Sequence, residues 1–460
     1  MELSRDLDVR RAYARDVSGL ELVPDAVARP TSADEIIDLV RAAIADHTTL
    51  TAAGSQTSTT GASITGEGAL VSMRAMTRII DIDTVERVAR VEPGITVGAL
   101  NQELASASLR FAPDPTSEHD ATIGGAIACN ASGARSLRYG PTRAHVRAVR
   151  VVNGDGNAVA LRRPGLEKNT VGYYAAQDPV DWIVGSEGTL GIVVEAELAL
   201  VRMPDHEIGL AIPFPDERSA LRFVVHAREH ADGDALTRPQ CLEFFDCGSL
   251  AIARADVGSL RWMNGAAALV YLEQALDADQ PVAESLDRWL ASAQAFGARA
   301  DDIEVFGDAP ALRAARKFRH AVPAHMNERG SARRPFGGRK VSTDWAVPYR
   351  RLADALEAAR RAADGQKIEP PITYGHAGNG HPHQNFIAAD AEELWRINGL
   401  IEETIRAVLR LGGTAAAEHG LGKLKRPWLR AQLSPVQIEL MLALKRALDP
   451  LGLFAPGNVL

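Results

Sequence analysis

The sequence predicts an α+β protein of two domains. The chain has 460 residues, and a single hydrophobic core stops growing at roughly 250–300 residues, so we expect it to divide. The first part, from Val27 to about Met203, is rich in glycine and in short β-type runs. After Met203 and Pro204 the pattern changes to apolar strands that alternate with long helical segments. These two different sequence patterns therefore indicate two domains.

The composition indicates a globular enzyme without a nucleic-acid surface. Hydrophobic residues make up 46% of the chain, charged residues make up 24%, and the formal net charge is -8. A surface that binds a phosphate backbone needs a basic excess or a basic stripe, which this chain lacks. Short arginine pairs such as Arg10-Arg11 and Arg333-Arg334 are typical of a solvated surface.

Cysteine usage and the N-terminal segment predict a cytoplasmic protein. Cys129, Cys241 and Cys247 do not have the spacing of a disulfide framework, a zinc site or an iron–sulfur site. The opening MELSRDLDVRRAYARD alternates charges, and the apolar run over residues 183–201 contains glutamates. We expect neither a signal peptide nor a membrane span. Peripheral attachment to the inner face of the membrane stays open.

The first part begins with a helix and continues as strands. The segment SADEIIDLVRAAIADH predicts a helix that Ser32 caps, with Glu35 at the capping-box position. The runs VERVARVEP, VRAVRVVNGDG and GIVVEAELALV predict strands. The NGDG sequence at residues 153–156 predicts a hairpin turn between two of them.

The second part is predicted to be an α+β domain over residues 204–433. The runs IGLAIPF and AALVYLE predict strands, and ERSALRFVVHAREH and PVAESLDRWLASAQAFG predict helices. SPVQIELMLALKRALDP predicts a further helix that Ser434 caps. The chain then ends in the loop FAPGNVL.

Glycine-rich stretches indicate a nucleotide-like cofactor. The loop TAAGSQTSTTGAS, residues 51–63, can direct N–H groups and hydroxyls at a pyrophosphate, although such loops are more often flexible connections. Residues 111–143 and 181–193 are more specific, because backbone without a Cβ can lie against a flat ring or a diphosphate. The GxGxxG and GxxxxGK patterns of nicotinamide enzymes and nucleotide hydrolases do not occur in the expected context.

Together with PGITVGALNQELA, these stretches resemble the FAD-binding domain of the vanillyl-alcohol oxidase superfamily. The resemblance extends over nearly the whole chain. It implies a two-subdomain FAD-binding domain over residues 1–203, a ferredoxin-like α+β cap domain over residues 204–433, and a tail, residues 434–460, that returns to the FAD domain. Because the loop at residues 51–63 has no histidine or cysteine, we expect noncovalent FAD.

The resemblance also implies which residues contact FAD. Those expected at the pyrophosphate are Gly54, Ser55, Thr57 and Ser58. Those expected at the flavin are Ser117, Thr122, Gly124, Gly125, Asn130, Ser132, Gly133 and Tyr139, with Gly188 and Ile192 near the adenine. The ending FAPGNVL departs from the family's NPGK, so a contact there would use the backbone or Asn458.

A second group of residues indicates a metal or acid–base site. TYGHAGNGHPH, residues 373–383, and AAAEHGLGKLK, residues 415–425, contain His376, His381, His383, Glu418 and His419. This density is unusual for a purely structural segment. The two segments resemble the HxGDGNxH and EHGxGxxK motifs of the D-lactate and D-2-hydroxyglutarate dehydrogenase branch. That resemblance implies that His376, His383 and Glu418 bind a divalent metal and that His419 is the base.

His381 departs from the family pattern, and Glu418 and His419 are adjacent in the chain. The family's aspartate and asparagine are replaced by Asn379 and His381, so His381 is a substrate donor, a surface residue or a further metal ligand, in that order of preference. Neighbouring residues of a regular strand face opposite sides, so Glu418 and His419 require a strand end or bulge, which Gly420 and Gly422 suggest. Two imidazoles and a carboxylate favour zinc, although manganese or ferrous iron fits the same ligands.

Candidate substrate contacts complete the expected site. Arginine offers a rigid fork of donors to a carboxylate. In ARKFRHAVPAH the best match to the family's substrate arginine is Arg319, and Lys340 is a second candidate cation; surface roles stay open for both.

The resemblance implies FAD-dependent oxidation of a D-2-hydroxy acid, of D-lactate or D-2-hydroxyglutarate type, to the 2-oxo acid. His419 would take the hydroxyl proton while hydride passes to flavin N5. The electron acceptor (a quinone, a cytochrome or an electron-transfer flavoprotein) and a homodimer stay open. The alternatives are a flavoprotein of the same fold that oxidises an aldose or a phenol, and a catalytically silent flavin-binding protein.

Overall fold

A computed structural model describes residues 3–166, 168–172, 178–257 and 265–460, without the side chains of residues 256–257 and 318–320. The chain divides into two compact units. The first unit consists of Met1–Gly133, Tyr139–Met203 and Glu418–Leu460, and the second of Ala134–Arg138 and Pro204–Ala417. The functional domain limits given above stay a prediction, because these units are defined by packing and not by function.

The first unit contains a parallel and an antiparallel sheet. Its strands are β1 (Ala26–Ala28), β2 (Leu50–Ala53), β3 (Ala69–Ser72), β4 (Ile79–Asp83), β5 (Val88–Val91), β6 (Leu109–Arg110), β7 (Val146–Val152), β8 (Ala158–Arg162), β9 (Ile192–Ala199) and β10 (Val201–Arg202). The parallel sheet has the order β1-β3-β2. The antiparallel sheet has the order β4-β5-β9-β7-β8, and β6 pairs with β10. The predicted turn at residues 153–156 joins β7 to β8.

The helices of the first unit cover these sheets. They are α1 (Leu7–Ala12), α2 (Ala33–Asp46), α3 (Val97–Leu104), α4 (Ile123–Cys129), α6 (Val180–Ile183), α13 (Arg426–Gln432) and α14 (Pro435–Leu448). The Ser32 side chain caps α2 as predicted. The expected reciprocal bond from Glu35 is wrong, because its carboxylate accepts from the Thr31 N–H at 2.6 Å. Helix α14 does begin with a complete capping box, formed by Ser434 and Gln437.

The C-terminal tail pairs with the parallel sheet of the first unit. The Leu50 N–H donates to the carbonyl of Leu453, and the Ala455 N–H donates to the carbonyl of Leu50, both at 2.8 Å. Asp449 stabilises the turn before this pairing by accepting from the backbone of Leu453 and Phe454. The tail therefore supports β2, the strand that leads into the loop at residues 54–63.

The second unit is built on one seven-stranded antiparallel sheet. Its strands are β11 (His206–Phe214), β12 (Pro239–Asp246), β13 (Ala268–Leu276), β14 (Glu304–Phe306), β15 (Gly337–Ser342), β16 (Ile372–His376) and β17 (His381–Asp390). Their order is β14-β11-β13-β12-β16-β17-β15. The helices are α5 (Ser136–Tyr139), α7 (Glu217–His230), α8 (Cys247–Val257), α9 (Val282–Ala295), α10 (Ala309–Ser331), α11 (Leu352–Gln366) and α12 (Ala391–Arg410). All residues of α5 except Tyr139 belong to this unit.

Helices cover both faces of this sheet, and this explains its continuous apolar strands. One face packs against α7, α9 and α11, where Trp289 and Phe223 lie in the core. The other face packs against α8 and α10, where Phe245 and Met326 belong to one hydrophobic core cluster. Strands β12 and β13 are buried along their whole length. Buried sheets do not show the alternation of a half-exposed strand.

Candidate functional site

The first unit contains a cleft of about 480 Å³ beside the end of β2, within the size range of cofactor sites. Most of the predicted cofactor residues line it: Gly54, Ser55, Thr57, Ser58, Ser117, Thr122, Gly124, Gly125, Ser132, Gly188 and Ile192. Glu418 and His419 line the same cleft. The fold of this unit therefore collects segments that are far apart in the sequence.

Four predicted cofactor residues are not among the residues that line the cleft: Asn130, Gly133, Tyr139 and Asn458. Asn130 ends α4 with a left-handed backbone and accepts from the Arg143 N–H. Tyr139 has its hydroxyl 3.1 Å from the Arg110 guanidinium. The Asn458 amide donates to two carbonyls, and its oxygen accepts from Lys423. Their cofactor roles stay predictions.

The walls of the cleft offer glycine backbone and hydroxyl groups to a dinucleotide. A Cβ on Gly54 would lie 2.3 Å from Thr122 Oγ1, so only glycine lets β2 and α4 pack this closely. Gly188 has φ +73°, a backbone conformation that disfavours other residues. Serine and threonine hydroxyls line the wall, and no arginine or lysine is among the described lining residues. Hydroxyls and backbone N–H groups can bind a diphosphate without charge pairing.

Sequence reasoning missed Glu187, which is a buried acid of the cleft. Its side chain is 6% exposed, and burial raises its pKa. The carboxylate accepts from the N–H groups of Leu421 and Gly422 at 2.6 and 2.7 Å. A Cβ on Gly420 would lie 2.4 Å from Glu187 Oε1. Glu187 therefore holds the backbone that directly follows His419, and its place between glycines in GSEGTLG was the available signal.

Glu418 and His419 lie in an irregular turn, so the expected strand end or bulge is wrong. Gly420 and Gly422 have φ of +73° and +49°, which bends the chain directly after the pair. The Ser132 hydroxyl donates to Glu418 Oε1 at 2.9 Å. The Thr60 hydroxyl donates to the carbonyl of His419 at 3.2 Å. Because the backbone turns here, two adjacent side chains can line one cleft.

In the second unit, three histidines share one face of the sheet. Strands β16 and β17 pair so that His376 lies opposite His381, and His383 follows two residues later on the same face. Their ligand atoms lie within 4.8 Å of one another. His381 is 3% exposed, which contradicts the surface alternative. The Nδ1 atom of His376 lies 2.6 Å from Glu243 Oε1.

The candidate substrate cations lie on β15 and α10. Lys340 pairs with Ile387, which shares the sheet face of the histidines. Its Nζ donates to Asn327 Oδ1 at 2.7 Å, and burial lowers its pKa to about 8. Arg319 belongs to α10, but its side chain lies outside the described part of the structure. Arg316, one turn earlier, forms an ion pair with the buried Glu273 at 2.6 Å.

Asp246 fixes the start of β16, the strand that carries His376. Its two carboxylate oxygens accept from the N–H groups of Ser249 and Thr373, each at 2.7 Å. The side chain is buried, and burial raises its pKa from 3.8 to about 6. Ionisation of Asp246 near neutral pH is therefore opposed by its surroundings.

We expect Asp246 to make the protein less stable as pH rises from about 4 to about 6. In this window the folded chain keeps a proton that the unfolded chain has released, so stability falls with rising pH. The full effect is on the order of 3 kcal/mol. The melting temperatures of the wild type and of Asp246→Asn are measured across this pH range. They should be similar at the low end of the range and should differ increasingly as pH rises. Asp232→Asn, at an 87% exposed side chain, is the control; identical pH profiles for wild type and Asp246→Asn would contradict the assignment.

Two family models match the chain. The FAD binding domain matches residues 24–162, and the C-terminal domain of FAD linked oxidases matches residues 203–459. The chain belongs to the FAD-linked oxidase family. The predicted α+β fold, with an FAD-binding domain and a cap domain, is confirmed for this FAD-linked oxidase. Among its described helices none has the length and apolarity needed to cross a membrane.

Relatives of this FAD-linked oxidase cover almost the whole chain. It is 31% identical to the glycolate oxidase subunit GlcD of Bacillus subtilis, over 98% of this chain and 92% of the relative. It is 29% identical to a D-2-hydroxyglutarate dehydrogenase of Stutzerimonas stutzeri, over 99% of this chain and 95% of the relative. It is 28% identical to a D-lactate dehydrogenase of Anaerostipes hadrus, over 95% of this chain and 89% of the relative. An alkyldihydroxyacetonephosphate synthase structure shares the fold, with a TM-score of 0.71 and 19% identity over 99% of this chain and 82% of that one.

Proposed function

We propose that this FAD-linked oxidase oxidises a D-2-hydroxy acid, of D-lactate or D-2-hydroxyglutarate type, to the 2-oxo acid. The observation that carries the proposal is the group of three histidines on one face of the second unit's sheet. Relatives named for glycolate, D-lactate and D-2-hydroxyglutarate support the same substrate class.

The cleft of the first unit is the proposed FAD site. FAD, when bound, supplies the acceptor for the hydride of the substrate α-carbon. Gly54 and Gly124 keep the wall flat, since a Cβ on either would lie within 2.7 Å of protein atoms. The hydroxyls of Ser55, Thr57 and Ser58 line the loop proposed to hold the pyrophosphate.

His376, His383 and Glu418 are the proposed ligands of a divalent metal, with zinc preferred over manganese and iron. A bound cation would lower the pKa of the substrate hydroxyl. Glu418 follows Ala417 directly, and the Ala417 N–H donates to the carbonyl of Asp344 at 2.9 Å. The second unit thus fixes the residue next to the proposed ligand.

His419 is the proposed base. Its side chain lines the cleft, its carbonyl accepts from Thr60, and the loop after it is held by Glu187. A fixed neutral imidazole can accept the hydroxyl proton of an alcohol substrate. Arg319 and Lys340 are the proposed partners of the substrate carboxylate, because both offer positive charge.

The test of this function is an anaerobic titration with matched D- and L-2-hydroxy acids. Bleaching of the flavin band near roughly 450 nm reports reduction of the cofactor directly. We expect one D-acid to bleach it and its L-enantiomer to leave it unchanged. Bleaching by an aldose or a phenol alone would assign another alcohol, and a flavin that none of these reduces would reject an oxidase function on them.

We expect the flavin to be noncovalent, although the cleft contains a thiol. Cys129 lines the cleft, and burial raises its pKa to about 12, so the nucleophilic thiolate is scarce near neutral pH. Acid precipitation should leave the flavin in the supernatant for the wild type and for Cys129→Ala alike. Flavin in the wild-type pellet that moves to the supernatant in Cys129→Ala would identify a covalent bond. Cys247→Ala, at an exposed cysteine, is the control.

A further inference from the structure

The histidine group of the second unit contains one more imidazole than the family pattern assigns to the metal. We propose that His381 is itself a ligand, so that His376, His381 and His383 form a three-histidine metal centre with Glu243 and Asp344 as orienting carboxylates. This inference rests on the proposed metal function and extends it. It also decides between the two roles that the burial of His381 leaves open.

Strand pairing places the three rings around one point. His376 and His381 are directly paired across β16 and β17, and His383 lies on the same face. The ring centroids lie 5.5 Å apart for His376 and His381, 5.2 Å for His376 and His383, and 4.6 Å for His381 and His383. The ring of His381 therefore lies at a similar distance from the rings of His376 and His383 as those two rings lie from each other.

The separations suit a shared cation. Metal–nitrogen bonds of about 2.1 Å put two ligand atoms of a tetrahedral ion about 3.4 Å apart. The ligand atoms here lie within 4.8 Å of one another, so small rotations of the rings bring all of them to one ion. Side-chain rotations of this size do not require the strands to move, because the backbone register already sets the three positions.

The burial of two of the rings is consistent with a shared metal ligand role. His376 and His381 are 4% and 3% exposed, and buried polar groups in proteins are paired or coordinate metals. An imidazole ligand donates one lone pair from a ring nitrogen to a metal. A single divalent cation can accept such lone pairs from three rings at once.

Buried carboxylates lie against two of the three rings. Glu243 Oε1 lies 2.6 Å from His376 Nδ1, and Asp344 Oδ1 lies 3.3 Å from His381 Nε2. Both acids are nearly fully buried, at 1% and 3% exposure. A carboxylate against one ring nitrogen orients the imidazole and leaves the other nitrogen for the metal. His381 thus has a buried carboxylate beside one ring nitrogen, as His376 does. The family pattern already assigns His376 to the metal.

The third imidazole should change which metal the site prefers. Nitrogen ligands favour zinc over manganese more than oxygen ligands do. We therefore expect the protein to select zinc, or cobalt offered in its place, against manganese. The family's asparagine at this position would give a weaker and less selective site, so His381→Asn is the informative variant.

The experiment uses the full-length flavoprotein, stripped of metal by a chelator and then titrated with zinc or cobalt. Zinc affinity, bound metal per chain and the visible spectrum of bound cobalt are measured for the wild type, His381→Asn and His383→Asn. His206→Asn, at an exposed histidine of β11, is the matched control. We expect His381→Asn to weaken zinc binding by about 100-fold or more and to change the cobalt spectrum, with flavin content unchanged. Asp344→Asn should weaken zinc binding by roughly 10–100-fold.

Zinc binding and a cobalt spectrum that are the same in His381→Asn as in the wild type would overturn the proposal. X-ray absorption of the zinc-loaded wild type gives an independent count that needs no variant: three imidazole scatterers support His381 as a ligand, and two reject it. If His383→Asn also binds metal like the wild type, or if the wild type binds none, the proposed metal function fails as well. The failures of the two proposals are therefore distinguishable.

Discussion

Replacing His419 with glutamine is expected to lower the rate of flavin reduction by substrate roughly 10²–10⁴-fold, the range for loss of a general base. Glutamine keeps a polar side chain of similar reach but cannot accept the hydroxyl proton effectively. Flavin content should change little, because the carbonyl of residue 419 still accepts from Thr60 and Glu187 still holds the following backbone. The measurement is the single-turnover rate of flavin bleaching at saturating substrate.

Two controls separate base catalysis from a disturbed cleft. His206→Gln alters an exposed histidine and should leave the rate unchanged. Glu187→Gln keeps the shape of the acid that holds the loop but weakens its hold on two N–H groups, so it should have a smaller effect than His419→Gln. A His419→Gln rate within a few-fold of the wild type, with substrate saturating, would reject His419 as the base.

The helices and strands were the most predictable part of the fold. The amphipathic segment at residues 217–230 forms α7 with the predicted limits, because its spacing and the Asp216 cap act locally. The hairpin at residues 153–156 also depends on local turn chemistry. The predicted capping box of α2 failed because Glu35 has a competing backbone donor in Thr31, which a capping pattern does not reveal.

The sequence predicts only those parts of the candidate site whose residues lie close together in the chain. Four histidines and a glutamate are visible in two short segments, but the bonds from Glu187 to Leu421 and Gly422 join residues more than 230 positions apart. Likewise, periodicity cannot tell which arginine of α10 meets an acid, and the ion pair of Arg316 with Glu273 follows from packing against β13. The turn at Glu418 and His419 depends on the φ values of two glycines, for which the sequence allows several conformations.

Removing the metal is expected to abolish flavin reduction by a D-2-hydroxy acid while the flavin stays bound. The proposed ligands would hold the cation that makes the substrate hydroxyl acidic, and without it His419 would face an alcohol with a pKa far above neutral. Most of the proposed cofactor residues line the cleft of the first unit, whereas the three histidines belong to the second unit. Stopped-flow absorbance before and after dialysis against a chelator measures the loss.

The same experiment reports on stability, since a ligand that binds only the folded state stabilises it by about 2.7 kcal/mol at one hundred times its Kd. The melting temperature should therefore fall on metal removal and return with zinc, together with flavin reduction. Dithionite is the control, because it should bleach the flavin with or without metal. Undiminished reduction by substrate in metal-free protein would reject the metal's role in the reaction, whereas recovery with zinc but not with manganese would tie that role to the nitrogen-rich site around His381.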